Sequence, residues 1–364
     1  MPPRGTVKKR APRATVAVGR ARINAGDLRG LRAAWAARRL VLFLGAGVSI
    51  PYGLPSWRDL VLELLFEQAQ DSRRLGPMWP HYRRAVASWM ADYFSYDPLV
   101  LARVVERHLR PGNGQPSAPG EQIFLERLRS HLYANVRRPK ERTLLRAIAE
   151  LAGRKGGGLE AVISFNFDDR FQTELKRAGV SFSTVSGPAR QVGHGLRVIH
   201  AHGYLPRVGP VSRRDVVFTE PDYHRLTEAV FHWSLSEIVD RLRKSTVLFI
   251  GLSMSDPSLR RLLDASRNSD IPPHYQLQKR HEVRDNELLV AMQEIERRAR
   301  RNAEILKSGF VETKGAQQLE DAVHQALGQA DTYDREVFES MGVKTIWVNG
   351  FDELPDIVDG IAGR

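Results

Sequence analysis

The chain has no cysteine at any of its 364 positions. That absence excludes disulfides, a thiol nucleophile and any zinc site built on thiolates. Long apolar runs are missing too. No stretch approaches the roughly 20 residues a membrane span needs, and the first residues carry no apolar core of the signal-peptide kind. A cytoplasmic protein is the expectation. Acids are scarce relative to bases: 42 Asp and Glu against 55 Lys and Arg leave a formal charge of +13. Part of that excess sits before residue 23, where Arg4, Lys8, Lys9, Arg10, Arg13, Arg20 and Arg22 meet no acid. Residues 1–25 therefore read as a disordered basic tail, open to nucleic acid or an acidic partner. Elsewhere the positive charge lies along helical stretches such as Arg297-Arg298-Ala299-Arg300-Arg301, where a solvated face is expected.

What the chain does have is a series of short apolar runs separated by helical periodicity. Strands are expected at Arg39–Leu44, Ala161–Phe165, Val180–Val185, Leu196–Ala201, Asp215–Phe218, Thr246–Ile250 and Val343–Val348. Apolar strands alternating with helices predict an α/β, Rossmann-like parallel sheet with helices on both faces. Asp27 can cap a short helix carrying Leu28, Leu31 and Trp35. Residues 64–151 read as a large helical insertion, with apolar stripes at Val86, Trp89, Met90 and Tyr93 and at Val100, Val104 and Val105. Inside it, Pro111–Gly120 reads as a loop. A second helical segment, 282–341, combines an amphipathic helix over Glu282–Lys307 with another from Gln317 toward Met341. The basic tail aside, residues 26–364 read as one domain.

The most informative motif is Leu44-Gly45-Ala46-Gly47-Val48-Ser49 at the end of the first core strand. Small residues there let backbone amides approach an anion, the way α/β folds hold a pyrophosphate. It is not the ordinary dinucleotide fingerprint, because Ile50 stands where the third glycine would be. The chain instead continues through Gly53-Leu54-Pro55-Ser56-Trp57-Arg58 into a helix capped by Ser56, with Asp59 as a capping-box-like partner. Other polar residues follow apolar runs in the same manner: Asn166 with Asp168, His202, and Ser253 with Asp256. Strand ends of a parallel sheet would bring them to one cleft. Asp169 is expected to cap the next helix, and Asp256-Pro257 to start another. On a strand His200 and His202 would share one side, but no further ligand stands at metal spacing, so no metal is expected.

Gly45-Ala46-Gly47-x-Ser49 followed by Gly53-Leu54-Pro55-x-Trp57-Arg58 resembles the sirtuin NAD-binding loop. Ser164-Phe165-Asn166-Phe167-Asp168 resembles that family's TQNID segment, His202-Gly203 its HG pair and Gly251-Leu252-Ser253 its later Gly-x-Ser turn. The nearest resemblance is to the sirtuin-like NADases of bacterial anti-phage defence, whose turns commonly resemble Gly251-Leu252-Ser253-Met254-Ser255-Asp256-Pro257. Deacylating sirtuins carry a four-cysteine zinc ribbon, which this chain cannot have.

The resemblance implies NAD⁺ as substrate and Asn166 and His202 as catalytic residues. Asn166 would hold the nicotinamide ribose or the attacking water, with Phe165 in place of the family's Gln. His202 would be the general base, its ordinary pKa near neutrality suiting the task; His200 is the competitor. Gly45, Ala46, Gly47, Ser49, Pro55, Trp57, Arg58, Asp168, Gly251, Ser253 and Asn349 would bind the nucleotide. For Arg58 the other reading is a surface salt bridge, for Trp57 a core position, for Ser49 and Ser253 turn capping. Asn349 and Asp352 would reach the adenosine end. The implied function is NAD⁺ glycohydrolysis by an abortive-infection effector, homo-oligomeric and dependent on a separate activator such as a HerA-like DNA-translocating ATPase. The readings set against it are a non-catalytic nucleotide sensor and a basic nucleic-acid-binding protein.

Overall fold

The structure is a computed structural model that describes residues 15–65, 85–86, 88–89, 91–93, 97–109, 118–188, 193–228, 232–254, 256–267, 272–282, 290, 292–294, 297 and 314–363. Its centre is a seven-stranded sheet: β3 (Leu40–Leu44), β4 (Leu159–Ser164), β5 (Phe182–Val185), β6 (Leu196–His200), β7 (Thr246–Ile250), β8 (His274–Lys279) and β9 (Val343–Val348). Every pairing is parallel, in the order β5-β6-β4-β3-β7-β8-β9. The fold is the Rossmann-like α/β architecture that the alternation of apolar strands and helices predicts.

Strands β3 and β7 lie at the centre and read LVLFL and TVLFI, buried throughout. A strand covered on both faces needs apolar residues at every position, which is why these two show no alternation. Leu40, Leu42 and Leu44 pack with Val162, Val198, Leu248 and Ile250 on one face. There they meet α1 (Ala25–Ala36), α2 (Trp57–Leu65), α3 (Pro98–Leu109), α4 (Ala118–Leu132), α5 (Leu144–Gly153), α6 (Arg170–Arg177) and α11 (Leu354–Ala362). Val41 and Phe43 pack with Ile163, Ile199, Val247 and Phe249 on the other face. There they meet α8 (Trp233–Lys244), α9 (Pro257–Ser266) and the end of α10 (Lys314–Ser340). A further short helix, α7 (Glu220–Glu228), follows β6.

From β3 the chain winds outward through β4 to β5, with helices on the first face. It then crosses from β6 to β7 and continues to β9 with helices on the second. The winding reverses at the centre of the sheet, so the carboxyl ends of β3, β4, β6 and β7 form the switch-point crevice where α/β sheets bind ligands.

Several sequence expectations need correction. Residues 15–24 do not continue a disordered tail: β1 (Thr15–Val18) and β2 (Ala21–Asn24) form an antiparallel hairpin. The Arg20 amide donates to Asp356 at 2.8 Å and its guanidinium pairs with Asp352, so the acids that neutralise this basic stretch lie more than 300 residues away. Residues 1–14 lie outside the described residues. Asp215–Phe218 is not a strand: Arg213–Asp215 is a 3-10 turn and Val216, Val217 and Phe218 are buried as irregular backbone. Ala118–Gly120 opens α4 rather than ending a loop, and the rest of that expected loop lies outside the described residues, as does most of Glu282–Lys307. Strand β8 was not expected from HYQLQK. His274 and Gln276 are buried and held by neighbours: His274 Nδ1 accepts from the Val247 amide at 3.3 Å, and Gln276 Nε2 donates to Thr345 at 2.9 Å.

Candidate functional site

The glycine turn after β3 is shaped by a close approach between two strand ends. The Gly45 amide donates to Ile250 O and the Gly47 amide to Gly251 O, both at 3.0 Å. A Cβ on Gly45 would lie 2.4 Å from Gly251 O, and one on Gly47 would lie 2.9 Å from Gly251 Cα. Gly251 itself has φ +67, a conformation open to glycine at no steric cost. These glycines are therefore required by packing against the β7 end. The amides of Val48 and Ser49 bond back to Gly45 and Ala46 at 3.2 and 2.9 Å. Free amides aimed at an anion, as the sequence suggested, are not the arrangement at those four positions; Gly45, Gly47, Val48 and Ser49 spend theirs on the turn.

Asn166, just past β4, reaches into this turn. Its Nδ2 donates to Gly45 O at 2.8 Å and stands 3.4 Å from Ser49 Oγ. Its own backbone is held from both sides: its amide donates to Ser164 Oγ at 3.2 Å and its carbonyl accepts from His200 Nδ1 at 2.8 Å. Asn166 Oδ1 accepts no hydrogen bond from the described residues. Asp168 is buried and links the same two segments, accepting from Ser49 Oγ at 2.8 Å and from the Arg170 amide at 2.9 Å. Burial raises its pKa, opposed by those two hydrogen bonds. Asp168, not Asp169, thus meets the amino-terminal amide of α6. The Asp169 carboxylate pairs with the Arg170 guanidinium and accepts from the Arg207 amide.

The two histidines do not share a side. Strand β6 ends at His200, and Ala201–His202 is already a turn, so the two-residue periodicity stops before His202. His200 faces α6, where Gln172 Nε2 lies 2.6 Å from its Nε2. Because Gln172 donates there and Nδ1 donates to Asn166 O, the neutral ring has both nitrogens occupied. Burial lowers its pKa to about 4. His202 stands in different company. Its ring is edge-on to Phe165 at 5.1 Å and to Tyr223 on α7 at 5.3 Å, and its Nε2 lies 3.7 Å from Asp256 Oδ2. Burial lowers the His202 pKa while the Asp256 charge opposes that. The Val217 amide donates to His202 O at 2.8 Å, and Gly203, at φ +100, lets the chain turn there.

Behind this wall lies a buried ion cluster that the sequence did not disclose. Arg213 bonds Glu106 and Asp222, each at 2.7 Å. Asp222 also accepts from the Phe218 and Thr219 amides at 3.0 and 2.8 Å. Burial would raise Asp222, but Arg213 and these amides hold it below the usual carboxylate range. The cluster fixes the start of α7, and Tyr223 with it. Glu106 lies 107 residues from Arg213, and no motif spacing could have joined it to the Arg213–Asp222 pair.

Other expected residues lie away from this cluster. Arg58 pairs with the exposed Asp92 at 2.7 Å and lines a cavity of about 340 Å³ with Val61, Leu62 and Leu101. Asn349 is exposed beyond the edge strand β9 and bonds Glu353. Trp57 packs in the core, 5.9 Å from Phe218. Ser56 Oγ caps α2, accepting from the Asp59 amide at 3.2 Å. Gly53, at φ +83, precedes Leu54-Pro55 where the turn presses on Asn135. A second cavity of about 390 Å³ is lined by Tyr52, Arg138, Glu174 and Arg177; neither cavity is lined by Asn166 or His202. Ser253 is exposed on the loop after β7.

Residues 160–304 match the SIR2-like domain family. The match is shorter than half the chain. It opens in β4 and takes in Asn166, His200, His202 and the loop after β7, while the glycine turn lies before it. No curated protein matches the chain. A solved structure described as "Structural Basis for the Mechanism and Regulation of Sir2 Enzymes" aligns at 15% identity over 92% of this chain and 96% of that chain, with a TM-score of 0.39. Among the described residues no group of three or more His, Asp or Glu could hold a metal ion, and no helix is long and apolar enough to cross a membrane.

Proposed function

We propose that this protein is an NAD⁺ glycohydrolase, cleaving the nicotinamide–ribose bond to give nicotinamide and ADP-ribose. The observation that carries the reading is the meeting of Asn166 with Gly45 at the ends of β4 and β3, with His202, just past β6, packed on Phe165, the residue before Asn166. The SIR2-like match over the segment that holds Asn166 and His202 supports it. Water adds to C1′ of the ribose as the C–N bond breaks. Nicotinamide leaves neutral, carrying the bond pair, so no acid is needed at the leaving group. The proton released by water goes to His202. Asn166, fixed through Nδ2 to Gly45, presents Oδ1 to a ribose hydroxyl or to the water. His200, occupied on both nitrogens, holds the Asn166 carbonyl and leaves the base role to His202.

Gly45, Ala46, Gly47 and Ser49 with Gly251 and Ser253 form the nucleotide side of the crevice in this reading, with Pro55, Trp57 and Asp168 supporting it from the core. As in the family that the motifs resemble, the chain would deplete cellular NAD⁺ in abortive infection. It would act in the cytoplasm as a homo-oligomer switched on by a separate partner, a HerA-like ATPase being the candidate. The direct test is to incubate purified protein with NAD⁺ and quantify nicotinamide by chromatography. Release of nicotinamide that His202→Ala and Asn166→Ala both abolish, with each variant still folded, is the expected outcome; NAD⁺ binding without turnover would favour a sensor instead.

A further inference from the structure

Asp256 has so far only one role, as the cap of α9, where its Oδ1 accepts from the Ser258 amide at 2.8 Å. Capping needs one oxygen. The other, Oδ2, faces His202 Nε2 at 3.7 Å, within ion-pair range and slightly beyond a hydrogen bond. Both side chains are largely enclosed, at 12% exposure for His202 and 20% for Asp256. The loop that delivers Asp256 is held against its own preference. Met254 takes φ +55, in the left-handed region, and stays there because its side chain is buried among Phe43, Phe249 and Leu259 on the second face of the sheet. A non-glycine residue kept in that region marks a position over-determined by its surroundings, a pattern that clusters at functional sites.

We propose that Asp256 is a positioning residue for His202, holding its Nε2 proton and stabilising the imidazolium that forms when the ring accepts a proton at Nδ1. The proposal rests on His202 being the base of the reaction above. The Ser258 amide fixes the carboxylate through one oxygen, the carboxylate orients the ring through the other, and the edges of Phe165 and Tyr223 limit its rotation. An aspartate behind a histidine sets its tautomer and supports its charged form in this way without itself taking the proton. Among the described residues, Asp256 and Tyr223 are the titratable groups set against the ring; Tyr223 is raised by burial and is neutral across the working range.

The cap separates structure from positioning, because Asn and Ser cap helices about as well as Asp. Asp256→Asn and Asp256→Ser in the full chain should keep the fold while removing the charge. The His202 ring resonance, assigned with a His202→Gln variant, should then titrate about one pH unit lower than in the parent. NAD⁺ turnover should lose about tenfold or more in kcat with KM little changed, and the acid limb of its pH profile should move with the ring. A His202 titration that is the same in the parent and both variants overturns the proposal, whether or not NAD⁺ is cleaved. If the parent fails to cleave NAD⁺ but the ring still responds to Asp256, the pair stands and the hydrolase reading falls. Should both variants misfold, the Asp256 carboxyl carbon in the parent decides: an inflection at the His202 midpoint supports the pair, and its absence overturns it.

Discussion

The side-chain amide of Asn166 donates to the backbone carbonyl of Gly45 at 2.8 Å, joining two strand ends 121 residues apart. The bond spends the donor half of the amide on the fold and leaves the acceptor half for chemistry. Asn166→Asp should therefore be worse than a neutral change, since a carboxylate oxygen would face the Gly45 carbonyl. Leaving that carbonyl unpaired costs about 1–3 kcal/mol. Denaturant unfolding of Asn166→Asp against Asn166→Ala measures it, with the aspartate variant expected to be the less stable.

The glycine turn makes a graded prediction. Gly45→Ala sets a methyl 2.4 Å from Gly251 O, where Gly47→Ala meets Gly251 Cα at 2.9 Å. Overpacking costs about 1–3 kcal/mol, and Gly45→Ala should sit at the upper end. Equal midpoints for the two variants in a thermal melt would contradict a role set by packing against Gly251.

Acid should weaken the fold partly through His200. Its folded pKa of about 4 lies below the ordinary 6.5, so the unfolded chain binds more protons between those values. Stability is then lost as pH falls through that window and is fully present above it. The contribution lost between pH 7 and pH 5 is about 2 kcal/mol. His200→Gln should flatten the decline in unfolding free energy between those two pH values while lowering stability at pH 7.

Arg58 was the residue most open between two roles, nucleotide contact or surface pair, and Asp92 claims it. Arg58→Ala should leave NAD⁺ turnover within about twofold and cost less than about 1 kcal/mol, the range of exposed ion pairs. A large rise in KM would place Arg58 at the nucleotide after all.

Asp222→Asn tests the ion cluster behind Tyr223. Taking the charge from Asp222 leaves Arg213 with Glu106 as its remaining carboxylate partner and weakens the bonds to the Phe218 and Thr219 amides, which costs about 1–3 kcal/mol. The variant should unfold at markedly lower denaturant, and a folded fraction should show a disturbed His202 ring resonance because Tyr223 loses its anchor.

How far the fold could be read ahead depended on where the information lay. The parallel sheet was legible because β3 and β7 carry uninterrupted apolar runs, which only a doubly covered strand requires. Strand β8 was not, since HYQLQK buries His274 and Gln276 against partners that local pattern cannot supply. The buried Val216-Val217-Phe218 segment erred in the opposite direction: apolar residues mark burial, and burial alone does not make a strand.

The same division holds at the site. Local chemistry along the chain determined that a glycine turn, an asparagine and a histidine would each follow a strand, and that Ser56 and Asp256 would begin helices. Tertiary structure alone decided what these residues do for one another. It turned the glycines toward Gly251, set His200 behind Asn166, and separated His202 from His200 by ending β6 one residue after Ile199. It also put Asp256 beside His202. The reason is physical: a cap or a turn is settled by neighbours a few residues away, whereas a contact between strand ends depends on sheet order, which no single segment encodes.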